Sequence, residues 1–478
     1  MRRLISLFAA ALLTTGLLTG PAAAAPPPTC VAPVPSPTQP GYTIADPNCD
    51  VGTNNPFVPL VDAAGQPLSR VFTGIRDGAA FRIEVPLRWN GELVIWAHGF
   101  RGTGRTVWVD SSPLRAFHVQ QGFAWAASSY QTNGYDVGQG VRDSVALVDI
   151  FASTVGRRAS SVYMTGASMG GHITAVAIEH FPRTFVGAMP LCGVLADARL
   201  FDYFLDANVT AAALTGVPIT FPLQPPPDYP QTWTQQVRAE LPLLGTGFGT
   251  GTPPTLTPLG QQWGAAVEQR SGGTRPGFDS AFGFWNSRPS LAPLQALPFL
   301  FGLYPGLSGG TIGIAPGNVT SNLLTIYQLD DKLRLSPAEA QLNLNVLRVG
   351  RTALPSRDLT GIPKVEGDPH IPVLSLHDIG DLFVPISMEQ IYARRALLHG
   401  QHRHFVSRAI RGVEHCDFNA GELTHAFADL VGWVRSGHRP DGDDILNPHK
   451  VAQPSFGCRF TEEVRTSFMA PKCPASRR

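Results

Sequence analysis

Apolar and polar positions change rhythm several times along the chain, and the order of those changes predicts an architecture. "FRIEVPL" alternates as a half-buried strand does, and Asn90-Gly91 marks a turn before the unbroken apolar run Leu93 to Ala97. "GFAWAASSY" is a second buried run, ending at Tyr130. The spacing then lengthens: Val141, Val145, Val148 and Phe151 predict one face of a helix beginning near Gly138. "SVYMTG" reads as strand, "SMGGHITAVAIEHF" as helix, with Ile173, Val176, Ala177 and Phe181 as its packed face, and "TFVGAMPLCG" as strand again. Strands alternating with helices predict an α/β fold, a mostly parallel sheet with helices on both faces.

The alternation stops between 195 and 367, where the chain turns rich in Pro, Gly and aromatic residues with short helical pieces such as "TWTQQVRAEL", "LGQQWGAAVEQ" and "SPAEAQLNLNVLRVG". A structureless loop of that length does not suit a compact domain, so a mainly helical cap insertion is expected there. The rhythm resumes with a strand at Ile371 to Leu376, a helix closed by Gly400, the strand "HFVSRAI", and a last helix ended by Gly437. The expected domains are therefore a catalytic unit over 66–194 and 368–437, the cap over 195–367, an irregular N-terminal arm over 25–65 and a C-terminal tail over 438–478.

Composition narrows the class. The chain has 478 residues, 43% of them hydrophobic, 15% charged, with a formal net charge of +1. That charge gives no electrostatic case for nucleic acid, and no apolar run beyond the N-terminus approaches the roughly 20 residues that span a bilayer, so no stable membrane insertion is expected. Residues 1–24 read as a secretory signal peptide: "MRR", the apolar "LISLFAAALLTTGLL", then small residues with cleavage most simply after Ala24. Six cysteines suit the oxidising compartment that export implies. Proximity favours Cys30 with Cys49 and Cys458 with Cys473, leaving Cys192 and Cys416. Asn208 and Asn318 open glycosylation-type triplets.

Chemistry centres on Gly166-Ala167-Ser168-Met169-Gly170. The pattern is only weakly specific, but here a strand precedes it and a helix follows, the setting a nucleophile elbow needs. A serine hydroxyl requires a histidine base oriented by a carboxylate. Asp381 stands in the loop after the strand "VLSLHDIGD", with Asp378 as the alternative acid nearer the strand end; the ordinary use of Asp in either place is to start a helix or make a turn. His415, in "RGVEHCDFN", follows the last strand. Of the other histidines, His172 and His180 on the helix after the serine suit packing, His98 suits a structural turn, and 402–404 ("HRH") a solvated strand entry. Backbone N–H groups of Met169 and of Phe100, in "WAHGFRG", are the candidate oxyanion donors.

"AHGF", "GASMGG", "HDIGDLFVP" and "GVEHCDF", in that order and at strand ends, resemble the α/β-hydrolase superfamily of serine hydrolases over about residues 80–193 and 368–437. The resemblance implies Ser168 as nucleophile, His415 as base, Asp381 as acid, Met169 and Phe100 as oxyanion donors, and a cap between the sixth and seventh strands. Cys416, directly after the histidine, is similar to the arrangement of tannases and feruloyl esterases, where that cysteine bonds to one before the serine. Here Ala167 precedes the serine, so the resemblance implies Cys192 as a substitute partner, a free buried pair being the alternative. No cofactor and no metal are expected. The expected activity is hydrolysis of a small-molecule or oligomeric carboxylic ester, the cap aromatics in "FLFGLYPG", "FGFWNS" and "FDYFLD" either lining an acyl or aryl pocket or only packing the cap. The other readings are a secreted aminopeptidase-like enzyme, for which Asp330-Asp331 is the sole obvious acidic pair in the cap, a polyester depolymerase, and a non-catalytic binding protein. Oligomeric state leaves no mark in the sequence.

Overall fold

The computed structural model describes residues 29–222, 225–291, 294–302, 319–462 and 470–473. The expected signal peptide, Asn318, the end of "FLFGLYPG" and parts of the C-terminal tail lie outside the described residues.

Eight strands build one sheet: β1 Ser69–Arg76, β2 Ala79–Pro86, β3 Glu92–Ala97, β4 Ala124–Ser128, β5 Ser161–Ala167, β6 Gly187–Leu191, β7 Val373–Asp378 and β8 Phe405–Ile410. Their order across the sheet is β1-β2-β4-β3-β5-β6-β7-β8. The pairs β1/β2 and β2/β4 are antiparallel and the rest parallel, so the sheet is mostly parallel, as expected. Strands β3 to β8 are buried along almost all their length because helices cover both faces, which explains their continuous rather than alternating apolar runs.

The helices of six residues or more are, in chain order, α1 Arg115–Gln120, α2 Val137–Val155, α3 Met169–His180, α4 Arg199–Thr215, α5 Tyr229–Leu244, α6 Pro258–Ser271, α7 Phe278–Ser287, α8 Pro337–Asn345, α9 Ser387–Leu398 and α10 Ala420–Ser436. Local chemistry sets their ends. Asp136 accepts the Gln139 N–H at the start of α2, Asn419 and Glu422 form a reciprocal capping box on α10, and Gly156 and Gly437 end α2 and α10 in the left-handed conformation. The α2 face turns slightly from the expected one: Val141 and Phe151 are fully buried, but Leu147 and Ser144 take the centre while Val145 and Val148 are half-buried.

Helices α4 to α8 all lie between β6 and β7, where an insertion is expected. Their aromatics form a core: Trp233, Trp263, Phe282, Phe299 and Phe301 are buried, and the Trp263 indole N–H donates to the Ala207 carbonyl at 2.8 Å. Asn208 is fully buried inside α4 with its amide donating to the Phe204 carbonyl at 2.7 Å, so the glycosylation reading fails at that triplet: its nitrogen is committed and out of reach. The arm before β1 is anchored by two short strands, one pairing with residues 106–107. Disulfides join Cys30 to Cys49, Cys458 to Cys473 and Cys192 to Cys416. Among the described residues, no helix is long and apolar enough to cross a membrane.

Candidate active site

Ser168 stands between the end of β5 and the start of α3 with φ 59° and ψ −121°. A side-chain-bearing residue held in that region costs on the order of 1–3 kcal/mol and persists only where its surroundings over-determine it. They do here. The Ser168 N–H donates to the Leu191 carbonyl on the neighbouring strand at 2.9 Å, while its own carbonyl accepts from Gly171 at 2.9 Å and Val194 at 3.3 Å. The flanking glycines are dictated by contact: a Cβ at Gly166 would stand 2.3 Å from the Gly170 carbonyl oxygen, and one at Gly170 would stand 2.1 Å from that of Ala97.

That second contact brings the loop after β3 over the serine. A Cβ on Gly99 would lie 3.1 Å from Ser168 Cβ, and Phe100, the next residue, is half-buried. Met169 opens α3, where a helix N–H has no carbonyl of its own helix to meet. The two expected donors thus belong to segments that converge on Ser168. His98 fixes the loop: its ring stacks on Tyr130 at 3.9 Å between centroids, its nitrogens face the carbonyls of Gly99 at 2.8 Å and Ser129 at 3.3 Å, and its own carbonyl accepts from the Tyr130 hydroxyl. Burial, helped by Arg101, holds its pKa well below the usual histidine value, in keeping with a structural turn residue.

On the other side of the sheet end, His415 Nδ1 and Asp381 Oδ2 are 2.6 Å apart. A carboxylate oxygen accepts, so Nδ1 carries a proton, and in the neutral imidazole the lone pair is on Nε2. Asp381 is fully buried, and its second oxygen accepts the N–H groups of Phe383 at 2.8 Å and Val384 at 3.0 Å. His415 Nε2 is buried and makes no hydrogen bond. The alternative acid, Asp378, is the last residue of β7 and does a different job: its Oδ2 accepts the Asp417 N–H at 2.9 Å, bracing the loop just beyond the histidine.

The Cys192–Cys416 bridge ties these two halves together. Cys192 follows Leu191, which receives the Ser168 N–H, and Cys416 follows His415; both cysteines have positive φ, 43° and 58°. A ring nitrogen of His415 and both sulfurs lie within 4.8 Å of one another, and with the sulfurs bonded to each other they are not metal ligands.

Several residues at this site left no sequence signal of their role. His377, the first residue of the "HDIGDLFVP" segment, braces the turn that carries Asp381, with its Nε2 donating to the Val384 carbonyl at 2.7 Å and its Nδ1 3.2 Å from Glu389. Burial would lower its pKa, but the hydrogen bond and charge of Glu389 outweigh that and raise it. Tyr203, Arg275 and Trp285 reach the same turn from α4, the α6–α7 connection and α7. Phe383 packs between the His415 ring at 5.0 Å and the rings of Phe204 and Phe299. His172 is a fully buried packing residue, as expected, bonded to Tyr135 and the Pro363 carbonyl. His180 is exposed, so it packs little.

A comparison with protein-family models finds no match, and one with curated protein sequences finds none either. Among solved structures, the chain is similar to tannin acyl hydrolase from Aspergillus niger (TM-score 0.45, 13% identity, 78% of this chain and 79% of that one). It is also similar to feruloyl esterase B from Aspergillus oryzae (TM-score 0.42, 14% identity, 80% and 86%), and to a cell-wall-degrading esterase, LipA, from Xanthomonas oryzae (TM-score 0.34, 15% identity, 79% and 88%). The chain's own topology places a serine on a glycine-flanked strand-to-helix turn, with an aspartate and then a histidine following in sequence at later strand ends. By that architecture the chain has an α/β-hydrolase-type fold.

Proposed function

We propose that the protein is a secreted serine hydrolase that cleaves carboxylic esters through an acyl-enzyme, with Ser168 as nucleophile, His415 as general base and Asp381 as the carboxylate that orients it. The observation that carries this reading is the Asp381–His415 contact, which leaves His415 Nε2 buried and without a competing partner. His415 Nε2 takes the Ser168 hydroxyl proton as Oγ bonds to the acyl carbon, and the N–H groups of Met169 and Phe100 stabilise the oxyanion. The tetrahedral intermediate collapses with loss of the alcohol, which receives the proton from Nε2. Water, deprotonated by the same nitrogen, then releases the acid and restores Ser168.

The segment 195–367 acts in this reading as a cap over the site and sets the substrate. The rings of Phe204, Phe299 and Phe383 leading to His415 favour an apolar acyl or aryl group. Asp330 is an exposed partner of Lys332 rather than part of an amine-binding pair, which weighs against the aminopeptidase reading. Export rests on the N-terminal signal pattern and fits three disulfides with no free cysteine among the described residues.

Treatment with a fluorophosphonate probe tests the reading: wild type is expected to be labelled and Ser168→Ala spared, and labelling that persists in the variant overturns the assignment. Hydrolysis rates on aryl esters of increasing acyl length, set beside amino-acid anilides, distinguish esterase from peptidase.

A further inference from the structure

The turn that carries the acid presents four carbonyls to the interior, and each is held by a buried side chain. His377 donates to Val384 from within the sheet. The other three donors come from the inserted segment: Arg275 Nε donates to Ile379 at 2.8 Å, Trp285 Nε1 to Gly380 at 2.9 Å, and the Tyr203 hydroxyl to Leu382 at 3.1 Å. These side chains are 4%, 6% and 1% exposed, so water does not compete for the carbonyls.

Trp285 does more than its neighbours. Its single N–H is shared between the Gly380 carbonyl, one residue before Asp381, and the Val413 carbonyl, two residues before His415, both at 2.9 Å. One rigid indole therefore sits at the joint between the acid turn and the base loop. Elsewhere that joint is closed by the Gly380 N–H donating to Gly412 at 3.1 Å and by the Asp381–His415 contact itself. The indole is in turn wedged against Phe299 at 4.4 Å, and Phe299 meets Phe383, which packs on His415.

We propose that Trp285 is a positioning residue for the acid and base, so that the inserted segment, besides covering the site, sets the geometry of Asp381 and His415. Resting on the hydrolase reading above, this assigns to α7 a part in kcat and not only in substrate choice. The physical ground is that proton transfer tolerates little misplacement, and that removing the shared donor leaves two buried carbonyls underpaired on the two loops whose separation must be kept.

Trp285→Phe keeps an aromatic ring against Phe299 and removes the N–H. Tyr203→Phe removes one hydroxyl from the same turn with less disturbance. Trp263→Phe is the control, since it deletes an equivalent indole-to-carbonyl bond wholly within the inserted segment. On an aryl ester, Trp285→Phe is expected to lower kcat by about ten- to a hundredfold, leave KM within about twofold, and move the acid limb of the pH–rate profile to lower pH, because the carboxylate supports the imidazolium less well. Tyr203→Phe is expected to move kcat the same way by a few-fold, and Trp263→Phe to lower thermal stability with kcat and pH profile intact. Wild-type kcat and acid limb in folded Trp285→Phe overturn the proposal, as does an equal kcat loss in Trp263→Phe; should Trp285→Phe not fold, an unchanged kcat and acid limb in Tyr203→Phe overturn it. A wild type that the fluorophosphonate probe fails to label at Ser168 overturns the hydrolase reading and this one with it, whereas labelled wild type with an unaffected Trp285→Phe overturns this one alone.

Discussion

The two halves of the site are held in place by different means. The serine half is set by its own turn and the sheet around it: two glycines that admit backbone at distances a Cβ would forbid, and one strand end on either side, at Ala97 and Leu191. The Asp381–His415 half draws in addition on chain from outside the sheet: besides Asp378 and His377 on β7, it is held by a disulfide from Cys192, just past β6, and by three side chains from the inserted segment. A nucleophile on a tight turn is a local object, whereas a carboxylate and an imidazole on separate loops have no local reason to meet. Their spacing has to be imposed from outside.

Removing the serine itself is the largest break. Ser168→Ala is expected to lower kcat by about a millionfold, to the level of the remaining binding and oxyanion contributions, with folding unchanged by circular dichroism. His415→Ala is expected to match it within about tenfold, since groups that act as one unit do not add. A much smaller loss for His415→Ala would uncouple the two halves and remove His415 as base.

Opening the Cys192–Cys416 bridge attacks the acid–base half without touching a reacting atom. The loop it closes is long, with a sequence separation of 224, so the chain-entropy account gives a stability loss of about 5 kcal/mol for the paired serine variant. Activity is expected to fall more steeply than the folded fraction, as the His415 loop loses its tether to the strand beside the serine. Equal activity per folded molecule would show that Asp378 and the hydrogen bonds to the turn suffice without it.

Gly170→Ala probes the serine half at its closest approach. Its methyl would stand 2.1 Å from the Ala97 carbonyl oxygen, backbone that cannot rotate away, so a loss of about 1–3 kcal/mol with a fall in kcat is expected. Thermal unfolding and ester kinetics check both effects.

His118 provides the smallest and most distant test. It is fully buried among Phe117, Phe123 and Phe427 with neither ring nitrogen bonded, and burial lowers its pKa to about 3. A depressed histidine pKa means that the unfolded chain binds the extra proton first. Stability is thus unaffected by this group above about pH 6.5 and is lost as pH falls toward 3, by up to about 1.4 kcal/mol per pH unit. His118→Leu is expected to flatten that slope while leaving kcat unchanged, and an unaltered acid slope in chemical denaturation would contradict it.

Much of the frame is legible in the chain. The runs at β3, β4, β5 and β6, the helices after β4 and β5, and the placement of Ser168, Asp381 and His415 at strand ends all follow from periodicity and turn chemistry, because each depends on residues within a few positions. Strand β1 and helix α1 are not legible: β1 is a half-buried edge strand whose alternation is weak, and α1 is little more than a turn held by its packing. Trp285 shows the same limit within the site. "FGFWNS" marks it as an aromatic in the insertion, but both its partners are backbone carbonyls, which have no residue identity to read.

The sequence alone determined the α/β alternation, the serine turn with its glycines, and the order of Ser168, Asp381 and His415 at strand ends, since these are written in short-range steric and hydrogen-bonding requirements. Only the tertiary structure set Asp381 rather than Asp378 against His415, paired Cys192 with Cys416, and carried Trp285, Arg275 and Tyr203 to the turn around Asp381. Those outcomes depend on which distant segments share a dry interior, and that is a property of the packed chain rather than of any stretch of it.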